Sequence, residues 1–298
     1  MGSGTWTTSS YTTYATSCGY TVDAITGARG VKGITGDASA SQMYKSRSLP
    51  AILNPKNVLR ECLDSEEHPT TIPVILALDV TGSMGDAAVQ VAKNINTVMT
   101  EMYSKLKDVE FMIMGIGDLA YDDAPIQISQ FESDVRIVEQ MDQVYFEFGG
   151  GGNSYESYTA AWYMGVRHCS LDAWKRGRKG IIITLGDEEL NPYLPVRGLS
   201  EATGDTLQGD VETKDLWEEV KSKFDVYHIN VNHRHYMSDS IERTWKEYLD
   251  DQHYRTCGMN DVTETIIDII LEAAEGEGSM ILTEEVPVQK NENGEIVW

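Results

Sequence analysis

The stretch that decides the fold is Pro73-Val-Ile-Leu-Ala-Leu78, followed at once by Asp79-Val-Thr81-Gly-Ser83-Met84. An unbroken apolar run of this length predicts a parallel strand that is covered on both faces. From residue 84 to residue 106 the apolar side chains recur at helical spacing, which predicts an amphipathic helix. A buried strand, a polar turn and a helix in this order are typical of a parallel α/β unit.

The same alternation continues along the chain. Buried or short strands are predicted at 109–116, 126–131, 180–185, 224–231 and 254–257. Helices are predicted at 56–63, 133–143, 154–169, 213–223, 238–250 and from residue 262, while 190–209 is predicted to be a loop. This pattern indicates a doubly wound α/β fold with a mostly parallel central sheet and helices on both faces, preceded by an irregular N-terminal extension.

Charge is unevenly distributed along the 298 residues. Asp plus Glu is 47 and Lys plus Arg is 24, a net charge of −23. Residues 1–70 hold six acids and six bases, so the excess lies beyond them. We therefore predict an N-terminal arm and connector (1–70), an α/β domain (71–276) and an acidic C-terminal tail (277–298). A charge of this sign excludes non-specific binding to nucleic acid and argues against docking on an anionic membrane.

Cysteine usage and hydropathy bear on the compartment. The four cysteines are widely spaced and form no CxxC pair, which favours free thiols in a reducing compartment. No apolar run reaches the roughly 18 residues of a membrane span, and the first residues lack the features of a secretory signal. These observations predict a cytoplasmic protein, with incorporation in a phage virion or another assembly as the alternative.

Polar residues follow two of the predicted strands, where ligands of such sheets bind. Asp79, Thr81 and Ser83 follow the strand that ends at Leu78, and Asp187 follows the strand at 180–185. A glycine-rich segment, GGGGNSYES at 149–157, lies between them in sequence. Carboxylate and hydroxyl oxygens are donors for a small hard cation such as Mg²⁺, and we expect these segments to meet at one edge of the sheet.

These three segments resemble the metal-ion-dependent adhesion site (MIDAS) of von Willebrand factor type A (VWA) domains, in particular bacterial or phage ones. The resemblance covers about 71–276 and implies a VWA-type, Rossmann-like sheet. It implies that Thr81 and Ser83 ligate the cation directly, and that Asp79 and Asp187 act mostly through water or hydrogen bonds. Asn153 stands where one variant of the family has Asp. The metal set is thus Asp79, Thr81, Ser83, Asn153 and Asp187, with Mg²⁺, or Ca²⁺ or Mn²⁺, as the ion. Ser154 and Glu156 would support these ligands without touching the ion.

The resemblance also implies a function without chemistry of its own. In this family a protein partner completes the coordination of the metal with an Asp or Glu side chain. The chain is accordingly predicted to be a metal-dependent protein-interaction module, not an enzyme, and a component of a larger assembly. The expected partner is a second copy of the chain or an AAA+ ATPase.

Two other functions stay open. The uncharged Thr/Tyr-rich arm at residues 5–22 is either a flexible tail or a strand-forming tie between neighbouring subunits of an assembly. DVTGS at 79–83 is also similar to the DKTGT motif of aspartyl-phosphate phosphohydrolases, in which Asp79 would be the nucleophile, although Val80 replaces the lysine.

Each motif also has a purely structural interpretation. The polar residues after the first strand could form only a helix cap and turn. His228, His233 and His235 are more typical of hydrogen-bonding residues at a strand end than of metal ligands. The basic segment 175–179 is more typical of a solvated turn than of a docking site for an acidic partner.

Overall fold

The computed structural model describes residues 4–34, 38–147, 155–231, 238–276, 289–290 and 296–297. Its helices are α1 (Thr8–Ser17), α2 (Ala40–Met43), α3 (Gly85–Lys105), α4 (Arg136–Met141), α5 (Thr159–His168), α6 (Asp172–Lys175), α7 (Val196–Thr203), α8 (Thr213–Lys223), α9 (Ser238–Trp245) and α10 (Val262–Glu275). Its strands are β1 (Tyr20–Val22), β2 (Arg29–Val31), β3 (Arg60–Cys62), β4 (Ile72–Asp79), β5 (Val109–Ile116), β6 (Ile126–Ile128), β7 (Tyr155–Glu156), β8 (Cys169–Leu171), β9 (Gly180–Gly186), β10 (Glu189–Leu190), β11 (Tyr193–Leu194), β12 (Val211–Glu212), β13 (Phe224–Val231), β14 (Tyr254–Cys257), β15 (Gln289–Lys290) and β16 (Ile296–Val297).

Six strands form the central sheet, in the order β14-β13-β9-β4-β5-β6. All neighbours in it are parallel except β6, which pairs antiparallel with β5 at the edge. The chain adds β5 and β6 on one side of β4 and then returns to add β9, β13 and β14 on the other. The strand order therefore reverses between β4 and β9, and the predicted fold class is confirmed.

Both faces of the sheet are covered, which explains the apolar runs. On β4, Val74, Leu76 and Leu78 enter one core cluster, while Ile75 and Ala77 enter the other. Helices α3, α4 and α10 pack into the first cluster, and α5, α8 and α9 into the second. Since successive side chains of a strand point to opposite faces, a strand with two buried faces must be apolar throughout.

The N-terminal segment differs from the expectation of a strand. Thr8–Ser17 is a helix, capped by the Thr7 side chain, which accepts a hydrogen bond from the Ser10 amide. Trp6, Tyr11 and Tyr20 lie in the same core cluster as α3. The segment thus packs on its own chain, whereas the boundary at residue 70 stays a prediction.

Two further segments were predicted incorrectly. The helix expected at 56–63 is absent from this described part of the chain, because Arg60–Cys62 is a strand that pairs in parallel with β8. The loop expected at 190–209 contains α7, which follows Pro195 and ends at Thr203, just before Gly204 with its φ of +83°. Proline before the first turn and a left-handed glycine after the last are ordinary helix boundaries.

Two observations concern the wider environment of the chain. Among the described residues no helix is both long and apolar enough to cross a bilayer. All four cysteines are free thiols, two of them buried. The cytoplasmic location stays a prediction.

Candidate metal centre

The site lies where the strand order reverses, between the carboxyl ends of β4 and β9. Asp79 is the last residue of β4, and the Val80 amide donates to the carbonyl of Ile116 on β5. Thr81 precedes a short 3-10 turn, Gly82–Met84, which leads into α3. Asp187 follows the last residue of β9 and is reached by the Ser83 hydroxyl. The structure thus brings Asp79, Thr81, Ser83 and Asp187 together.

Hydrogen bonds occupy both oxygens of the Asp79 carboxylate. Its Oδ1 accepts from the Thr81 amide at 2.9 Å and from the Thr81 hydroxyl at 2.6 Å. Its Oδ2 accepts from the Tyr158 hydroxyl at 2.7 Å. Asp79 is 1% exposed, so this carboxylate orients its neighbours instead of facing solvent. That arrangement agrees with the indirect role that the resemblance implies for it.

The two hydroxyls of the turn lie next to each other, and each also contacts a carboxylate. Each hydroxyl has one proton. Thr81 donates its proton to Asp79, and Ser83 donates its proton to Asp187 Oδ1 at 3.0 Å. Thr81 Oγ1 and Ser83 Oγ are 3.5 Å apart, so neither has a further proton to donate to the other. Two acceptor oxygens at this separation form a pocket in which a cation would be favoured.

Tyr158 is a site residue that the sequence analysis missed. Its hydroxyl donates to Asp79 and accepts from the Asp187 amide at 3.3 Å, so it bridges the two carboxylate-bearing segments. Gly186 makes this possible, because a Cβ at that position would lie 2.1 Å from the Tyr158 hydroxyl oxygen. His228 and Trp245 pack against the Tyr158 ring at centroid distances of 5.5 Å each. In the sequence, the glycine at the end of the strand, Gly186, was the one feature that could have indicated this contact.

The electrostatics of the site favour a positive charge. Burial raises the pKa of Asp79 above its usual range, with a contribution from Asp187, while hydrogen bonds from Thr81 and Tyr158 oppose the rise. Burial, followed by the charge of Asp79, raises the pKa of Glu156 far more. The N-terminal end of α3 points at the site and would itself repel a cation. The neighbouring carboxylates are therefore needed to offset that dipole.

The donor set fits a hard cation. Ligands at 90° to each other are about 3.0 Å apart around Mg²⁺ and about 3.4 Å apart around Ca²⁺, given their usual bond lengths. The 3.0 Å between the Ser83 hydroxyl and Asp187 matches the value for Mg²⁺, and the 3.5 Å between the Ser83 and Thr81 hydroxyls lies close to the value for Ca²⁺. Among the described residues no three His, Cys, Asp or Glu side chains cluster as a metal site, so an ion here would depend on the hydroxyls. Asn153 and Ser154 lie outside the described residues.

The other motifs take structural roles where they are described. His228 is buried, stacks on Trp245 at 3.6 Å and contacts the Thr184 hydroxyl through Nδ1. Burial lowers its pKa, so it is neutral. His233 and His235 lie outside the described residues. In the basic turn, Arg176 pairs with Asp64, and Lys179 pairs with Asp225 at 3.2 Å.

Comparisons with known proteins return structures and no sequence match. No protein-family model matches the chain, and no curated protein does. The vWF domain of the type V pili tip protein Mfa5 from Porphyromonas gingivalis is similar at 11% identity and a TM-score of 0.46, over 73% of this chain and 98% of that one. The pilus adhesin SpaC from Lactobacillus rhamnosus GG, in an open conformation, is similar at 14% identity and a TM-score of 0.44 over 73% of this chain. Proximal thread matrix protein 1 from the mussel byssus is similar at 11% identity and a TM-score of 0.45, over 70% of this chain. This chain spans 31% of the SpaC chain and 49% of the mussel chain.

Proposed function

We propose that the chain is a protein-interaction module whose binding face is the carboxyl edge of the sheet, and that a hard divalent cation, Mg²⁺ in the first instance, completes this face. One observation carries the proposal. The Thr81 and Ser83 hydroxyls donate to the carboxylates of Asp79 and Asp187, and the two hydroxyl oxygens lie 3.5 Å apart at the edge of the sheet.

The residues of the site have separate tasks in this proposal. Thr81 and Ser83 would hold the ion, with Asp187 beside them. Asp79 would fix the orientation of the Thr81 hydroxyl, and Tyr158 would fix Asp79. When bound, the ion would offer a coordination position to a carboxylate of the partner. Asn153 belongs to the proposed ligand set on the resemblance alone.

The net charge of −23 bears on the partner. A divalent ion offsets only two negative charges, so an approaching carboxylate still meets an acidic surface. We therefore expect the partner to carry basic residues around its ligating carboxylate and to bind more weakly as salt rises. With such a partner the chain would be part of an assembly, either as a structural subunit or bound to an ATPase.

The geometry disfavours the phosphohydrolase alternative. A nucleophilic carboxylate needs an oxygen free to attack phosphorus. Both oxygens of Asp79 accept hydrogen bonds, and its side chain is buried. Val80, in place of the lysine of that motif, is also buried and presents no charge. We therefore propose a binding function without catalysis.

Thermal unfolding with and without Mg²⁺ tests the metal site. Because a ligand at 100 times its Kd stabilises the folded state by about 2.7 kcal/mol, we expect Mg²⁺ to raise the Tm of the wild type. Ser83→Ala should reduce that rise, because it removes a ligand of this site. Ser104→Ala, which removes an exposed hydroxyl at the far end of α3, should retain it.

Partner binding supplies the second half of the test. A partner captured by the wild type should be released by EDTA and should not be captured by Ser83→Ala. A Tm that Mg²⁺ leaves unchanged in the wild type, or a partner retained equally in EDTA, would contradict the proposal.

A further inference from the structure

A second group of carboxylates lies beside the candidate metal centre, in the segment that follows β5. Asp118, Asp122 and Asp123 belong to this segment, and Glu147 and Glu156 face it. None of the five takes part in an ion pair with another described residue, although the rest of the described chain forms many. Five carboxylates without a cation are an unusual concentration of negative charge.

Two carboxylate oxygens of this group are buried without any hydrogen-bond donor among the described residues. Asp118 is 4% exposed and Glu156 is 8% exposed. Asp118 Oδ1 accepts from the Ala120 amide at 2.8 Å, whereas Asp118 Oδ2 and Glu156 Oε2 have no partner. An unsatisfied buried carboxylate oxygen costs free energy, and each one in a native structure calls for an explanation such as an ion.

Hydrogen bonds of the neighbouring residues hold the segments that carry Asp118 and Glu156 next to each other. The Ser157 amide donates to the Gly117 carbonyl at 3.1 Å, and the Leu119 amide donates to the Ser157 hydroxyl at 3.0 Å. Gly117 and Leu119 flank Asp118, and both bond to Ser157, the residue after Glu156. The two segments are therefore held together on both sides of Asp118. This geometry does not depend on the protonation of either carboxylate.

Asp122 supplies a third carboxylate next to the first two. Its Oδ2 accepts from the Asp118 amide at 2.7 Å. The same oxygen packs on Gly117 so closely that a Cβ there would lie 2.3 Å away. Burial and the charges of Asp79, Asp122 and Asp118, in that order, raise the pKa of Glu156. The absence of a side chain at 117 therefore lets the Asp122 carboxylate reach the Asp118 amide.

We propose that Asp118 and Glu156 bind a second hard divalent cation, with Asp122 at the rim of the site. This site goes beyond the one in the proposed function and shares neither Thr81 nor Ser83 with it. In the described part of the chain no three such side chains already converge on one point, so waters would fill the remaining positions. Mg²⁺ and Ca²⁺ both accept carboxylates together with waters, and donors that are all oxygen disfavour thiolate-seeking metals.

Calorimetric titration of the full chain with CaCl₂, after removal of metals with EDTA, tests this site. We expect the wild type to bind two Ca²⁺ ions. Asp118→Asn should lose one of them or bind it at least tenfold more weakly, and Ser83→Ala should keep the ion that Asp118→Asn loses. Asp268→Asn, which changes an exposed carboxylate on α10, should bind as the wild type does.

The outcomes separate the two sites. A single ion that Asp118→Asn loses and Ser83→Ala keeps would support this site and contradict the proposed one. Asp118→Asn binding Ca²⁺ with unchanged number and affinity would overturn the inference. A second measurement covers folding: in EDTA, Asp118→Asn should melt no lower than the wild type, because it removes an unpaired buried charge. A lower Tm would assign Asp118 a structural contact and overturn the inference.

Discussion

At the scale of single residues, Tyr158 decides how Asp79 can act. Its hydroxyl is the sole donor to Asp79 Oδ2 among the described residues, and it also accepts from the Asp187 amide. Removing the hydroxyl would leave Oδ2 buried without a donor. Hydrogen bonds to charged groups contribute about 1.5–3 kcal/mol, so the Asp79 carboxylate would lose much of its fixed orientation.

We predict that Tyr158→Phe weakens Mg²⁺ binding by about tenfold or more, since 1.4 kcal/mol corresponds to a factor of ten. Calorimetry gives the affinity. Tyr163→Phe is the matched control, because Tyr163 is also buried and donates to a different buried carboxylate, that of Asp205. That control should lose stability and keep its Mg²⁺ affinity. Equal Mg²⁺ affinities in the wild type and Tyr158→Phe would contradict the assigned role.

The contrast between Asp79 and Tyr158 shows what the sequence could predict at this scale. Asp79, Thr81, Ser83 and Asp187 follow buried strands, and the strand-end rule alone places them at one edge of the sheet. Tyr158 lies near the start of α5, and no local pattern tells which strand end its hydroxyl reaches. That contact depends on the packing of α5 and on the missing side chain of Gly186, and both are tertiary properties.

At the scale of elements, the same limit applies to the N-terminal segment. Thr and Tyr favour strands, yet Thr8–Ser17 is helical. Within it, Thr12 and Thr13 donate their hydroxyl protons to carbonyls four residues earlier, and Tyr11 is fully buried. Packing of one face on α3 outweighs the intrinsic preference of these residues. The long runs of β4, β5, β9 and β13 left no such conflict and were predicted well.

A buried ion pair fastens this segment to the domain. Arg29 of β2 is 1% exposed and lies 2.6 Å from Asp142, which follows α4. The Tyr14 hydroxyl of α1 donates to the other oxygen of Asp142 at 3.1 Å, and the guanidinium lies 4.6 Å from the centre of the Tyr20 ring. One carboxylate thus joins α1 and the β1–β2 hairpin to the end of α4.

We predict that Arg29→Met lowers the free energy of unfolding by about 3 kcal/mol or more, because it leaves Asp142 as an unpaired buried charge. Urea unfolding measures the change. Arg29→Met combined with Asp142→Leu should regain most of the loss, since the double variant has no orphaned charge. Arg197→Met, at a highly exposed arginine, should be neutral. An Arg29→Met variant as stable as the wild type would show that the segment is held by apolar packing alone.

At the scale of the whole molecule, the acidic composition sets how stability depends on pH. Burial raises the pKa of several carboxyl groups, namely Glu110, Asp122, Glu132, Glu147 and Asp225. A carboxyl whose pKa is raised on folding contributes stability that is complete below its unfolded pKa and is lost as pH rises through its folded pKa. These groups therefore favour a stability maximum on the acidic side of neutrality.

Glu110 offers the sharpest test of this balance, because burial raises its pKa to about 7 and it lies away from both candidate cation sites. Cys62, His68, Glu132 and Tyr103 are titratable groups that interact with it, and one of its carboxylate oxygens has no hydrogen-bond partner in the described chain. Glu110→Gln mimics the protonated form. We expect the variant and the wild type to be about equally stable at pH 4. Toward pH 8 the variant should gain an advantage of up to about 3 kcal/mol, because one pKa unit corresponds to about 1.4 kcal/mol. Urea unfolding at both pH values measures the difference in the free energy of unfolding, with the exposed Glu247→Gln as control.

An advantage that is the same at pH 4 and pH 8 would mean that Glu110 keeps an ordinary pKa in the folded protein.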